Sequence, residues 1–549
     1  MIPLLPDDIL HVLCDELAAR RDYDTLFNCC SASKGLASPA LTALYRTQHL
    51  SPIKSAGSEA VSLADQELIT QKWSILWRSM IASGLGKTLF PYCRYIAVLD
   101  LRDFTNLLED DRFRGALAKH FFSGELGKFN IPADTPSKTP SGRARMRRLN
   151  VVSIIDAVGE LITKHSPLLE EITGEVLSSG LLRWIPRLPR LRSLTLRNGA
   201  ALEDANVASL IKKHCPFFNQ IGIYNWTGTD TDAKLATFLN SLRPNSLRVF
   251  ETFSDAGVGP ETFLALSGHG ESLNELNLEL RSDILPSLAF LKGCTSLEVL
   301  TLVDLHGITD LESTQNDVFL ETVDWLRQCK NLKRLSFTKF PSAVAITTPI
   351  LLQDSIKLER LELDMYTLKD HVDFSMALAN QKSLRSLLLR GDGDDAGGDA
   401  LTALVNSLVE LKELRELKLV FMMDPISDAE VIKMAESLPN LEDFYFGGYA
   451  ISDAVLPSIA KLLNLRTVTL NAVTRLSLNG LLDFVASLDA TAHQGISVVV
   501  DNADPDFALS DEEQNLVRES LVAKVGGRFE YTLFRDPDAG WGDSEDDSD

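Results

Sequence analysis

Between Leu191 and Leu470 the chain repeats one short pattern: an apolar residue, two others, an apolar residue, one other, an apolar residue. Leu191/Leu194/Leu196 sets it, followed by Phe218/Ile221/Ile223, Leu273/Leu276/Leu278, Leu297/Leu300/Leu302, Leu332/Leu335/Phe337 and Leu358/Leu361/Leu363. Leu384/Leu387/Leu389, Leu414/Leu417/Leu419, Leu441/Phe444/Phe446 and Leu465/Val468/Leu470 continue it, and Leu247/Phe250 is a degenerate copy ending in Thr252. Successive copies start 24 to 35 residues apart. The last two apolar positions are two residues apart, so in an extended segment both point to one face. A lone strand cannot bury that face. Stacked copies bury it against one another and against a return segment, so a period in the twenties predicts a solenoid. The return segments read as helices. Asp428 to Leu438 and Asp453 to Leu463 carry apolar residues at three-to-four spacing behind Ile-Ser-Asp starts, with the Ser or Asp as cap, and Ile308-Thr309-Asp310 is similar.

The spacing within each copy is that of leucine-rich repeats, and about half the chain resembles that family. The resemblance implies an α/β solenoid with parallel strands on a concave face and helices on the convex one. Cys215, Cys294 and Cys329 each stand three residues before a copy's first apolar residue, where Leu188, Leu411, Leu438 and Leu462 stand elsewhere. These thiols read as small buried groups. Their placement, with the Ile-Ser/Thr-Asp helix starts, resembles the cysteine-containing subtype found in F-box proteins. The ninth position of the family's repeat, ordinarily Asn or Cys, is here Gly199, Trp226, Leu305, Phe340, Tyr366 or Tyr449, so the loop after each strand is expected to be built differently.

Residues 1–48 form the second informative stretch. Pro6 suits the first position of a helix, and Asp7 and Asp8 suit the positive end of its dipole. Ile9, Leu10, Leu13 and Leu17 then share a face, a second helix is expected near Asp24, and a third from Ser38-Pro39. Three short helices make a thin core, so the unit is expected to dock on something. Leu5-Pro6-Asp7-Asp8-Ile9-Leu10, then Leu13, Leu17, Tyr23-Asp24-Thr25-Leu26 and Leu36, resembles an F-box, whereas Tyr92 to Asp110, with Leu107-Leu108-Glu109-Asp110, resembles a stretch of fungal F-box proteins. In the F-box family the first set of positions binds the Skp-type adaptor of a cullin ubiquitin ligase, which picks out Leu5, Pro6, Ile9, Leu10, Leu13, Leu17 and Leu26. The family's tryptophan after the second helix is absent, and the loop Ala18 to Tyr23 is longer than typical. A helical cap sealing the first repeat would produce the same pattern.

Composition narrows the function. A net charge of −22 argues against nucleic acid, which needs a basic footprint. No run approaches a membrane span, and no basic region precedes the apolar residues of Met1 to Leu10, so neither membrane nor secretion is expected. Seven cysteines without a C-x-x-C pair suggest reduced thiols in cytoplasm or nucleus. Residues 49–90 read as a helical linker, with helix from Ala60 to Ser83. Gly84-Leu85-Gly86-Lys87-Thr88 matches a phosphate loop only at its end. Residues 91–500 are assigned to the solenoid, starting at Ile96/Leu99/Leu101, with a loop insertion over 123–148 whose Arg143, Arg145, Arg147 and Arg148 suit an import signal or a solvated loop. Gly391 to Asp395 hints at a calcium loop but lacks the closing Glu, since residue 403 is Ala. Residues 501–535 read as a cap and 536–549 as an acidic tail too polar to fold.

Solenoids bind through the concave strand face. Tyr224, Trp226, Val249 and Phe253 place aromatic and apolar groups on adjacent copies, the pattern of binding anchors, although Trp226 would equally fill the loop where Asn is missing. Arg334, Arg360 and Arg390 place one cation each on neighbouring or near-neighbouring strands and could receive an acidic or phosphorylated partner, with Glu359 and Glu362 near enough to pair with them, and Tyr445 extends the surface. No catalytic, metal or cofactor motif is present. The expected protein is a non-catalytic substrate receptor of an SCF-type ubiquitin ligase, a monomer within its complex. The alternatives are a GTPase regulator of the Ran-activating type, which also joins such repeats to an acidic tail, and a scaffold without ubiquitin transfer.

Overall fold

The computed structural model describes residues 6–20, 22–46, 63–133, 148–368, 372–392, 398–420 and 426–534. Leu5, the start of the linker, Arg143, Arg145, Arg147, most of the Gly391–Asp395 loop and the acidic tail lie outside them. Two compact units divide at Leu273. Residues 1–273 hold 30 of the 54 Lys and Arg and 29 of the 76 Asp and Glu, so the whole net negative charge belongs to residues 274–549. Among the described residues no helix is long and apolar enough to cross a membrane.

The first unit opens with three helices: α1 (Asp7–Ala19), α2 (Tyr23–Ala32) and α3 (Lys34–Arg46). Cys14, Leu26, Ala40 and Ala43 make their small core, with Leu17, Ala18, Cys29, Cys30 and Leu44 packed around it. Asp22 caps α2 by accepting the Thr25 N–H at 3.1 Å. Two boundaries differ from expectation. α1 runs to Ala19, which shortens the connection to α2. α3 starts at Lys34 because the Ser33 hydroxyl accepts the Leu36 N–H at 3.2 Å; Pro39 lies inside the helix, at the cost of one helical hydrogen bond. α3 docks on α4 (Leu63–Gly84) and the turn after it. Tyr45 stacks on Tyr92 with ring centroids 4.5 Å apart, and its hydroxyl lies 3.0 Å from that of Ser79.

The repeats of this unit begin at β1 (Val98–Asp100), followed directly by α5 (Leu101–Glu109). β2 (Glu171–Gly174), β3 (Ser193–Asn198), β4 (Gln220–Asn225) and β5 (Val249–Thr252) follow, all parallel and paired in order. Leu99, Ile172, Leu194, Ile221 and Phe250 fall in one register row and all are buried. The row forms because each repeat places one apolar side chain at the same height on the inner face.

The second unit continues the design in β6 (Glu275–Leu280), β7 (Val299–Asp304), β8 (Arg334–Thr338), β9 (Arg360–Thr367), β10 (Ser386–Asp392) and β11 (Glu416–Val420). β12 (Asp443–Phe446), β13 (Tyr449–Ser452), β14 (Thr467–Arg475), β15 (Ser497–Ala503) and β16 (Arg528–Leu533) complete it. Pairing is sequential and parallel, except that both β12 and β13 pair with β14. The fold is an α/β leucine-rich-repeat solenoid.

Three local devices join its repeats. At the Ile-Ser-Asp starts the Ser caps its own helix, and the Asp serves the next repeat. Asp428 accepts the N–H and hydroxyl of Ser452, and Asp453 accepts those of Ser477 at 2.9 and 2.6 Å. The helix expected from Asp453 to Leu463 breaks into a 3-10 turn (Asp453–Val455) and one turn of α-helix (Leu456–Ile459), with Pro457 near the start of the latter. The second device is the cysteine position. The Cys215 thiol donates to the Leu188 carbonyl at 3.3 Å, and Cys329 to the Cys294 carbonyl at 3.5 Å; burial pushes both thiols up to about 12. At the same offset Gln381 Nε2 donates to the Leu351 carbonyl at 2.9 Å, and His493 Nε2 to the Leu462 carbonyl at 3.1 Å. At these four copies the position supplies a side-chain donor to the preceding repeat, where leucine fills it by packing alone in others. The third device replaces the missing Asn: Phe340 and Tyr366 are fully buried, each preceded by a left-handed residue, Lys339 (φ 52°) and Met365 (φ 65°).

Candidate protein-binding surfaces

α1 divides its apolar residues between two faces. Leu10 and Leu26 are buried, and Leu17 packs half-buried against the core, so these three of the expected adaptor contacts hold the module together instead. The core needs them because three short helices offer few other large side chains. Pro6 is exposed, and Ile9 and Leu13 are each 46% exposed, with Val12 between them at 66%. Spacing of three and four residues puts these aliphatics on one stripe. Val12, and the exposed Tyr23 and Phe27 of α2, were missed by sequence reasoning, although the four-residue spacing of Tyr23 and Phe27, off the Leu26 face, was a readable signal.

On the concave face of the first unit, Tyr224 and Phe253 stack with centroids 4.5 Å apart and planes 22° apart. Gly222 permits this: a Cβ there would lie 3.2 Å from the Phe253 ring. The Arg102 guanidinium lies over the Tyr224 ring at 5.4 Å and donates to its hydroxyl. Asp100 holds Arg102 in turn, accepting from Nε at 3.1 Å and from a terminal nitrogen at 2.9 Å, while its Oδ1 also accepts the Arg102 N–H at the start of α5. Sequence reasoning found the two rings and missed Arg102 and Asp100, which lie far away in the chain. Val249 sits at the opposite end of its strand from Phe253, in register with Gln220, and does not join the stack. Trp226 is corrected: it is 3% exposed and lies over Gly199, where a Cβ would sit 2.3 Å from its ring, so it fills the loop.

Next to Arg102 in the chain is a buried carboxylate. Asp103 Oδ2 accepts both the Trp73 and Trp77 indole N–H groups of α4, each at 2.7 Å, and Oδ1 is buried with no hydrogen-bond partner. Burial pushes the Asp103 carboxyl up to about 6 against the two indoles, and Asp100 adds to the rise.

The arginines of the second unit stand on three adjacent strands, β8, β9 and β10, at two different heights. Arg334 and Arg360 are register partners on β8 and β9. Arg390 lies four residues beyond Ser386, the register partner of Arg360, so it stands at the other end of the strand face. Arg360 is bound to Glu362 at 2.5 Å and approaches Glu416 at 3.9 Å; its expected partner Glu359 makes no ion pair with it among the described residues. The Tyr445 hydroxyl accepts from the Asn471 amide, which accepts in turn from Asn502.

The glycine-rich stretch Gly84 to Thr88 is the C-terminal cap of α4. Left-handed Gly86 donates to the Ser83 carbonyl and Lys87 to the Ala82 carbonyl, both at 2.9 Å. These amides are consumed at the negative end of a helix dipole, the opposite of a phosphate cradle. Among the described residues no cluster of His, Cys, Asp or Glu could hold a metal ion.

No family model matches the chain, and no curated protein matches it. Among solved structures it is similar to the Rad7 and Elc1 complex in yeast, with a TM-score of 0.32 and 16% identity over 71% of this chain and 94% of that one. It is also similar to a TLR13–ssRNA13 complex, with a TM-score of 0.31 and 13% identity over 68% of this chain and 51% of that one.

Proposed function

We propose that this chain is the substrate-recognition subunit of an SCF-type ubiquitin ligase, with α1 docking a Skp-type adaptor and the concave repeats holding the target protein. The observation that carries the reading is the exposed stripe of Ile9, Val12 and Leu13 on a module whose core is already complete. A helix that only sealed the first repeat would turn those aliphatics inward; an exposed apolar stripe marks an interaction site. The Tyr224–Phe253 stack suits target capture, because Arg102 and Asp100 brace Tyr224 and little side-chain freedom is left to lose on binding. The chain itself contributes proximity, placing the target near a ubiquitin-loaded enzyme. Seven free thiols suit the reduced environment of cytoplasm or nucleus.

The test is co-purification of the full chain with a Skp-type adaptor, native and as Ile9→Asp/Leu13→Asp. Binding lost in the variant while circular dichroism stays native supports the reading. A native chain that fails to bind the adaptor overturns it and leaves α1 to α3 as a cap. Ubiquitination of a captured target separates a ligase receptor from a scaffold.

A further inference from the structure

The second unit carries 47 Asp and Glu against 24 Lys and Arg, so a surface cation there has carboxylates on every side. Its strand-face cations mostly use them. Arg360 pairs with Glu362 at 2.5 Å, Lys418 with Asp443 at 2.7 Å, and Arg528 with Glu530 at 2.8 Å. Arg334 and Arg390 are exposed and make no ion pair among the described residues. Arg334 also stands in register with Arg360, a like charge one strand away, and directly opposite like charges are unfavourable. Arg390 sits where the register between β9 and β10 shifts, opposite the left-handed Met365; strand irregularities of this kind re-aim side chains.

We propose that Arg334 and Arg390 hold two acidic groups of one extended segment of the target protein, an inference that rests on the concave face being the target surface. The spacing follows from the sheet. Arg390 is two strands from Arg334, about 10 Å across, and four residues along, about 13 Å. The diagonal of about 16 Å corresponds to about five residues of extended chain. The partner segment therefore carries carboxylates, or phosphates, which are also anionic, about five positions apart. The flanking acidic surface repels segments with acids elsewhere, so the two arginines select spacing as well as charge.

Selection of a displayed random-peptide library on the full chain tests this. Enrichment of Asp/Glu pairs four to six residues apart is expected on the native protein, and each reversal, Arg334→Glu or Arg390→Glu, should weaken the best peptide about tenfold. Lys418→Ala should leave the enrichment intact. Peptides phosphorylated at the two acidic positions, measured alongside, tell which anion is preferred. Acidic pairs that persist in the double reversal, or selection without acidic pairs, overturn the proposal. Peptides without acidic pairs that are lost on Phe253→Ala would sink this inference while leaving the concave face as the target surface. Adaptor co-purification reads the ligase assignment independently.

Discussion

The first unit adds to the shared repeat contacts several that occur once; in the second, the Ser–Asp joint recurs. The singular contacts are two indoles on Asp103, Trp226 over Gly199, and Arg102 reaching to Tyr224. The recurring joint is the Asp of one repeat on the Ser of the next, at Asp428–Ser452 and Asp453–Ser477. The charge divides the same way, with near balance before Leu273 and a large acidic surplus after it. The units bury the same apolar row, so the difference lies in what stands around it. The second unit is built for addition of like parts. The first is built around two particular surfaces, the α1 stripe and the braced aromatic pair.

Five substitutions would break or sharpen that contrast, and a sixth bears on the aromatic pair. Leu417→Ala removes a fully buried side chain from the register row of the second unit and should cost about 2–5 kcal/mol in urea unfolding; a loss under about 1 kcal/mol would contradict the register. Asp103→Asn probes the first unit through pH. The folded carboxyl titrates near 6 against an unfolded value of 3.8, so the fold favours its protonated form. Its contribution to stability is full below 3.8 and is lost as pH rises through about 6. The native-minus-variant stability should therefore fall by about 3 kcal/mol between pH 3.5 and 7, a figure from the size of the shift; parallel profiles would refute the buried charge. Gly199→Ala should cost about 1–3 kcal/mol by forcing Trp226 off its seat. Trp226→Leu in the same chain should recover part of that loss, which a singular contact requires.

Asp453→Ala should cost only about 1–2 kcal/mol, because it removes one hydrogen-bonded joint among several; a larger loss would make that joint as singular as those of the first unit. The smallest effect is expected from Phe253→Ala, whose ring is partly exposed. Melting should move little while target capture weakens, and unchanged capture would remove the aromatic pair from the binding surface.

The repeating half of this molecule was legible because periodicity reports burial directly. Leu387, Leu417 and Phe444 lie side by side as their spacing required. The α1 stripe was legible as an amphipathic helix, but spacing alone could not say which of Leu10 and Leu13 faced inward. In the fold Leu10 is buried and Leu13 is half exposed. Arg102 and Asp103 were invisible for a different reason. Their partners lie 122 and 26 to 30 residues away, and no local pattern encodes a contact made once. Arg390 was legible by counting alone: Arg334 and Arg360 are the third residues of their copies and Arg390 the seventh, so it stands four residues further along its strand.

The Ser–Asp joint has a consequence for how such a chain changes length. Each boundary between Ser and Asp is a seam: the Ser on its left completes the repeat before, and the Asp on its right reaches the repeat after. Excising Asp428 through Ser452 would bring Ser427 against Asp453, and Asp453 would still meet Ser477. In-frame duplication between the same seams would likewise restore both contacts. Gain or loss of a whole repeat by recombination at these seams restores the Ser–Asp contacts without a compensating substitution, so this joint lets the unit change length by one strand-bearing repeat at a time.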